Sequence, residues 1–279
     1  MFNTNSFKTL IIFTNKLNNM KSKYVFPIAA ILFAFSLISW GVVGHRTIAK
    51  IAENHLTPKA KATVKDLLGT EEMPLTSTFS DEIRYDNAFK HTSSWHYINL
   101  PLGLSYNEFL IALKSDTTQN VYNVLLKMEK EVKNPYNTKE QKTFALKMII
   151  HLVGDLHQPM HVSREEDQGG NKIKLKFQGK DTNLHSLWDS GLIEYNGKTF
   201  TEMATAYDNI SDPKIKEWQA DDVKKWLYES YQISTQLYAE VENNPNLDYT
   251  YYPKHSEIYK ERIQKAGIRL AGLLNTLFK

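Results

Sequence analysis

The segment "KMIIHLVGDLHQPMH" (147–161) constrains this chain more than any other. Met148, Ile149, Leu152 and Leu156 fall on one helical face and mark it for burial. His151 and Asp155 lie in the same run, four residues apart, so both point from one side of that helix. A carboxylate buried among such residues is costly unless a cation compensates it. Burial of this helix therefore favours a metal ion beside Asp155 over a satisfied core histidine. Imidazole and carboxylate are the donors zinc takes when thiolates are lacking, and the chain contains no cysteine.

A second pair at the same spacing, His185 and Asp189, occurs in "HSLWD", and His161 follows just past the helix-ending Pro159. One His/Asp pair is more often a surface hydrogen bond. Two pairs with a histidine between them favour a metal centre. His45, Asp81 and His96 complete the candidates, the last two inside a polar and aromatic connection (76–103) long enough to carry function. His55, His91, His157 and His255 read as helix-surface, loop or core-polar residues.

The net charge of +3 gives no whole-protein field that draws in nucleic acid, so a polyanionic substrate needs a local site. Without cysteine, disulfides and thiolate nucleophiles are excluded. Lys21 and Lys23, the apolar run from Val25 to Ile38 and the small residue Ser39 read as a secretory signal. The run falls short of the ~20 residues a spanning helix needs. Residues 1–39 are thus expected to be a leader with a cleavable signal peptide, with Met20 as the true start, export to a periplasm or the exterior, and no stable membrane association after processing. The mature chain then begins at Trp40.

Residues 40–279 show no repeat or linker and read as one mainly α-helical domain with a small β-hairpin. Thr57-Pro58 opens a helix that Gly69 closes. Ser105/Glu108 and Thr138/Gln141 form capping boxes. The stretch 169–179 alternates Ile173, Leu175 and Phe177 with lysines after a double glycine, as a strand does. Helices are expected over 183–195, 221–242 and 256–278, the last capped by Ser256.

Taken together, "WGVVGHRTIAKIA", "SDEIR", "WHYIN", "HLVGDLHQPMH", "GGNKIKLKFQGKDTNLHSLWD" and "AGIRLAGLLN" resemble, in order and spacing, the zinc-dependent S1/P1 nuclease family across residues 40–279. The resemblance implies a helical fold related to bacterial zinc phospholipase C, with three zinc ions (Zn2+) per chain. It places Asp81, His96, His151 and Asp155 on one ion. Trp40, His45 and Asp155 hold its close partner, and His161, His185 and Asp189 the third. Trp40 takes part through its α-amino nitrogen and carbonyl oxygen. That requires a free amine, whose unperturbed pKa is about 7.7–8.0, because an amide lone pair is delocalised into the peptide bond.

The resemblance further implies phosphodiester hydrolysis by metal-activated water, with Asp81, Asp155 and Arg84 at the reacting centre and 5′-phosphate products. Tyr97 is expected to stack on a base beside Asn99, where several members carry an aspartate, and Phe79 replaces a tryptophan. Single-stranded DNA and RNA, and 3′-nucleotides, are the implied partners of a monomeric enzyme. A zinc phospholipase C of the same fold is the alternative, followed by a non-catalytic zinc or nucleic-acid binder.

The leader generates the first prediction. N-terminal sequencing of the exported protein should begin at Trp40, and a version retaining one residue before it should bind less zinc by metal analysis. A full zinc complement on the extended chain contradicts the reading.

Overall fold

The computed structural model describes residues 40–279 apart from 196 and 243; the leader and the start at Met20 lie outside the described residues. Capped amphipathic segments put most of it in helices. In chain order these are α1 (Gly41–Asn54), α2 (Pro58–Leu68), the short α3 (Met73–Thr76) and α4 (Phe79–Ile83), α5 (Tyr106–Ser115), α6 (Val121–Lys133) and α7 (Lys139–His157). After them come α8 (Leu184–Ser186), α9 (Leu192–Tyr195), α10 (Phe200–Tyr207), α11 (Asp212–Ala220), α12 (Val223–Glu242) and α13 (Tyr251–Leu277). The expected caps are present: Thr57 accepts from Ala60 N, and Ser105 and Thr138 complete their boxes with Glu108 and Gln141.

From Leu146 to His157, α7 is buried on nearly every side. It packs against α1, α2, α4, α6, α12 and α13, which explains why its sequence is apolar all round. The C-terminal end of α7 is also held by charge. Arg262 and Arg269 of α13 are buried and pair with Glu229 of α12 at 2.6 and 2.7 Å. Arg262 Nε donates to the His157 carbonyl (3.1 Å), Arg269 Nη1 lies 3.0 Å from His157 Nε2, and Ser230 Oγ donates to the Leu156 carbonyl (2.6 Å). Burial, then the two arginines, push the His157 pKa well below its ordinary value, so this ring is neutral. Burial opposes ionisation of Glu229, but the arginines keep its carboxyl far below the usual range.

The strands are few. β3 (Lys174–Phe177) and β4 (Lys180–Asn183) form the expected hairpin, shorter than the 169–179 stretch. β5 (Asn246–Leu247) adds to β3 in parallel, giving the order β4-β3-β5, while β1 (Ile98–Asn99) and β2 (Val162–Ser163) form a separate parallel pair. Two-residue strands leave no periodicity to read. The 76–103 connection resolves into α3, α4, a 3₁₀ stretch at Asn87–His96, and β1.

Three expectations need correction. The last helix starts at Tyr251, not Ser256; Pro253 sits in its first turn, where a missing N–H costs nothing, and Ser256 Oγ donates to the Pro253 carbonyl. The expected 183–195 helix is broken by a π-helical stretch at Leu187–Gly191. Helices α10 and α11 were not anticipated, although Thr199 and Glu202 form a capping box and Pro213 opens α11.

Where α13 crosses α1, a Cβ on Gly267 would lie 2.6 Å from Ile51 Cγ2 and 3.1 Å from the Ile48 carbonyl oxygen. Gly267→Ala should therefore destabilise by about 1–3 kcal/mol through overpacking, read as a lowered Tm. An unchanged Tm would mean that the α1–α13 crossing yields freely.

Candidate metal centre

The α7 pair supplies the middle of the site. His151 Nε2 and His96 Nδ1 each lie 3.0 Å from Asp155 Oδ2, while His161 Nδ1 at 3.1 Å and His45 Nε2 at 3.5 Å face Asp155 Oδ1. Asp155 thus meets four imidazoles from four elements: α1, the 3₁₀ stretch, α7 itself, and the Pro159–His161 turn. Asp81, in the middle of α4, places Oδ1 3.7 Å from His96 Nδ1 and 3.8 Å from His151 Nε2. Asp189, in the π-helical stretch, lies 3.5 Å from His161 Nε2 and 3.8 Å from His185 Nε2. Three groups have donor atoms mutually within 4.8 Å: His45/His151/Asp155, Asp81/His96/His151, and His161/His185/Asp189. All eight side chains are buried except that of His185, which is partly exposed.

The second nitrogen of several rings is already engaged. His151 Nδ1 donates to the Ser77 carbonyl (2.7 Å), His161 Nδ1 to the His96 carbonyl (2.9 Å), and His185 Nδ1 to the Gly169 carbonyl (2.9 Å). A carbonyl only accepts, so these nitrogens carry hydrogen, and in the neutral ring Nε2 keeps its lone pair for an ion. His96 Nδ1 and His151 Nε2 are 2.9 Å apart. Two lone pairs at that separation need a proton or a cation between them.

Both ring nitrogens of His45 and both carboxylate oxygens of Asp81 are buried with no hydrogen-bond partner among the described residues. Buried polar atoms are almost always partnered. These orphans, together with a donor set of nitrogen and oxygen alone, fit zinc.

Trp40 enters the same cluster through its backbone. Its side chain is fully buried, with the indole Nε1 donating to the Gly154 carbonyl (2.7 Å). Its main-chain nitrogen, a peptide amide in the unprocessed chain, donates to Asp189 Oδ1 (2.5 Å). The residue sits at φ 38°, a left-handed conformation that costs a bulky side chain about 1–3 kcal/mol.

Residues that sequence reasoning passed over support this arrangement. A Cβ on Gly154 would lie 2.7 Å from His45 Nδ1, so only glycine lets that ring approach α7. Gln158 Nε2 donates to Asp189 Oδ1 (2.8 Å). A glycine inside an apolar helix was the available signal for the first; the second had none.

In the metal-free chain, protons take the place of cations. Burial lowers the His151 pKa, but Asp155 and Asp81 hold it at about 9. Burial acts likewise on His161, which Asp155 and Asp189 hold at about 10. Burial raises the Asp155 carboxyl, but His151 and His161 pull it well below its ordinary value. His45 and His185 are pushed down, chiefly by burial.

Beside His185 opens a cavity of about 450 Å³ lined by Tyr97, Asn99, Met160, Gln168 and Lys172. Tyr97 is 41% exposed there. Arg84 Nη1 is 3.6 Å from Asp81 Oδ1. A larger cleft of about 640 Å³, around Lys50, Lys61, Lys65 and Met73, includes none of the metal-ligating candidates. Chemistry, not size, identifies the site.

The S1/P1 nuclease family model matches residues 40–279. Endonuclease 2 of Arabidopsis thaliana is 31% identical over 274 residues, covering 86% of this chain and 90% of its own length. Nuclease S1 of Aspergillus oryzae is 28% identical over 286 residues (90% and 96%). Nuclease P1 of Penicillium citrinum is 25% identical over 273 residues (85% and 97%).

Protons and metal compete for the same lone pairs. The raised pKa values of His151 and His161 contribute stability to the metal-free chain below the unfolded value of 6.5, and it is lost as pH rises through about 9 and 10. Zinc uptake at pH 7 should accordingly release about two protons from these two rings, beyond any from the Trp40 amine, measurable by calorimetry in buffers of different ionisation enthalpy. Uptake without proton release contradicts the pairing described.

Proposed function

The chain belongs to the S1/P1 nuclease family, and on that premise we propose a zinc-dependent endonuclease that hydrolyses single-stranded DNA and RNA to 5′-phosphate products. The observation that carries the reading is one carboxylate, Asp155, facing four imidazoles beside orphaned His45 and Asp81 atoms and a half-open cavity.

Three ions are proposed: one held by Asp81, His96, His151 and Asp155, a second by Trp40, His45 and Asp155, and a third by His161, His185 and Asp189. Zinc bound at such donors polarises a phosphoryl oxygen and lowers the pKa of water toward neutrality. Asp155 is common to two sets and would fix their separation. The Ser77, His96 and Gly169 carbonyls hold three of the rings in the orientation that binding needs. Arg84 supplies a guanidinium that can offset charge on the phosphate oxygens of the transition state.

Tyr97, exposed in the cavity wall, is proposed to stack on a base, worth about 1–3 kcal/mol and indifferent to sequence. Asn99 beside it offers an amide to the base edge. A stacked duplex denies its base faces to Tyr97, which favours single strands. 3′-Nucleotides present the same base and a terminal phosphate, and are proposed as smaller substrates.

Removal of residues 1–39 would convert the Trp40 amide, which donates to Asp189, into an amine able to bind metal. The same reading makes residues 40–279 the catalytic domain of a monomer working in a periplasm or outside the cell. Among the described residues no helix is long and apolar enough to cross a membrane.

Asp155→Asn should strip zinc and activity together. The loss in kcat/KM should exceed about 100-fold, since even partners one layer out cost about 10–100-fold. With the native enzyme, single-stranded DNA should yield 5′-mononucleotides and lecithin no choline phosphate. Release of choline phosphate instead would turn the assignment to a phospholipase C, and a fully active, fully loaded Asp155→Asn protein would refute the site.

A further inference from the structure

The strand that leads away from the cavity carries a row of lysines. Lys172 lines the cavity beside His185 and Tyr97, and Lys174 and Lys176 follow at alternate positions. Burial alternates with them: Lys172, Lys174 and Lys176 are exposed, Leu175 is buried, and Ile173 and Phe177 are partly buried. Within β3 the Lys174 and Lys176 side chains therefore leave the same face of the strand, and Lys172 stands in the turn just ahead of it. A strand rise of ~3.3 Å per residue spaces the backbones of Lys174 and Lys176 roughly 6.6 Å apart. That is close to the separation of successive phosphates in an extended single strand.

Stability does not account for this row. At Lys176, β3 has partners on both sides, so this lysine is not a charge that guards a free sheet edge. Like charges along one face repel, and little answers them. Asn183 stands opposite Lys174, whose ammonium makes no ion pair or hydrogen bond among the described residues. Asp181 stands opposite Lys176 at 3.7 Å, with both side chains more than half exposed, a weak pairing. Among the described residues, Lys172 Nζ donates only to the Glu166 carbonyl (3.3 Å).

We propose that Lys172, Lys174 and Lys176 form a track that grips consecutive phosphates of a polynucleotide running from the catalytic cavity along β3. This rests on the nuclease reading above and adds to it that the preferred substrate is a polymer extending beyond the reacting phosphate. Phosphate contacts of this kind position the strand without reading its sequence. They also answer the near-neutral charge of the chain: the attraction for a polyanion is concentrated in one row.

The test neutralises the two lysines outside the cavity, in a Lys174→Gln, Lys176→Gln protein. Its kcat/KM is compared with the native enzyme on a single-stranded oligonucleotide long enough to span the row and on bis(p-nitrophenyl) phosphate, across a salt series. A Lys214→Gln, Lys216→Gln protein, altered by the same charge on exposed positions of α11, serves as control. For the oligonucleotide, the double-logarithmic salt slope should become shallower by roughly 1.4, at about 0.7 per phosphate contact, and kcat/KM should fall about tenfold at low salt. Hydrolysis of bis(p-nitrophenyl) phosphate should not change, and the control should keep the native slope. An unchanged slope, or an equal change in the control, overturns the track and leaves the nuclease assignment standing. A native enzyme that hydrolyses bis(p-nitrophenyl) phosphate but no polynucleotide overturns both.

Discussion

Asp155 is a carboxylate sealed from bulk solvent. It lies wholly buried on a helix of aliphatic side chains, and its two oxygens look onto His45, His96, His151 and His161. An isolated carboxylate in such surroundings would give up its charge. Here the surroundings supply the counter-charge, either as protons on His151 and His161 or as divalent ions. Asp81 and Asp189 extend the same condition, so three buried carboxylates depend on how five imidazoles nearby are occupied. The site and the core are one structure, and whatever fills the first stabilises the second.

Such a centre needs a rigid mount, because the donors come from six separate segments. The mount is α7, enclosed by its neighbours and tied at its end to α12 and α13 through Arg262, Arg269 and Glu229. A buried ion cluster of this kind is a poor source of net stability, since desolvation offsets most of its attraction. Its effect is geometrical: the Leu156 and His157 carbonyls are held by Ser230 and Arg262, which leaves the last turn of the helix no freedom to shift. Gly154 completes the mount by making room for a ring of α1.

Legibility followed sequence separation. His151 with Asp155 and His185 with Asp189 could be read directly, because four residues make one helical turn even where the second pair spans a π-helical stretch. His45, Asp81 and His96 reach the cluster from segments whose approach depends on packing, so the residues alone marked them as scattered candidates and only the family resemblance assigned them to particular ions. The charges of α13 gave no hint of burial, since arginines seven residues apart on a C-terminal helix look like a solvated face. Ser256 imitated a cap, while the true start of α13 tolerates Pro253 in its first turn. Helices α10 and α11 had caps in plain sight but weak apolar periodicity between them.

The contact between the Trp40 peptide nitrogen and Asp189 bears on safety inside the producing cell. A hydrolase that attacks RNA is dangerous beside the ribosome that makes it. On the proposed reading, the newborn polypeptide is a dormant precursor, muzzled by its own uncut backbone bond. On that reading, arming would coincide with export.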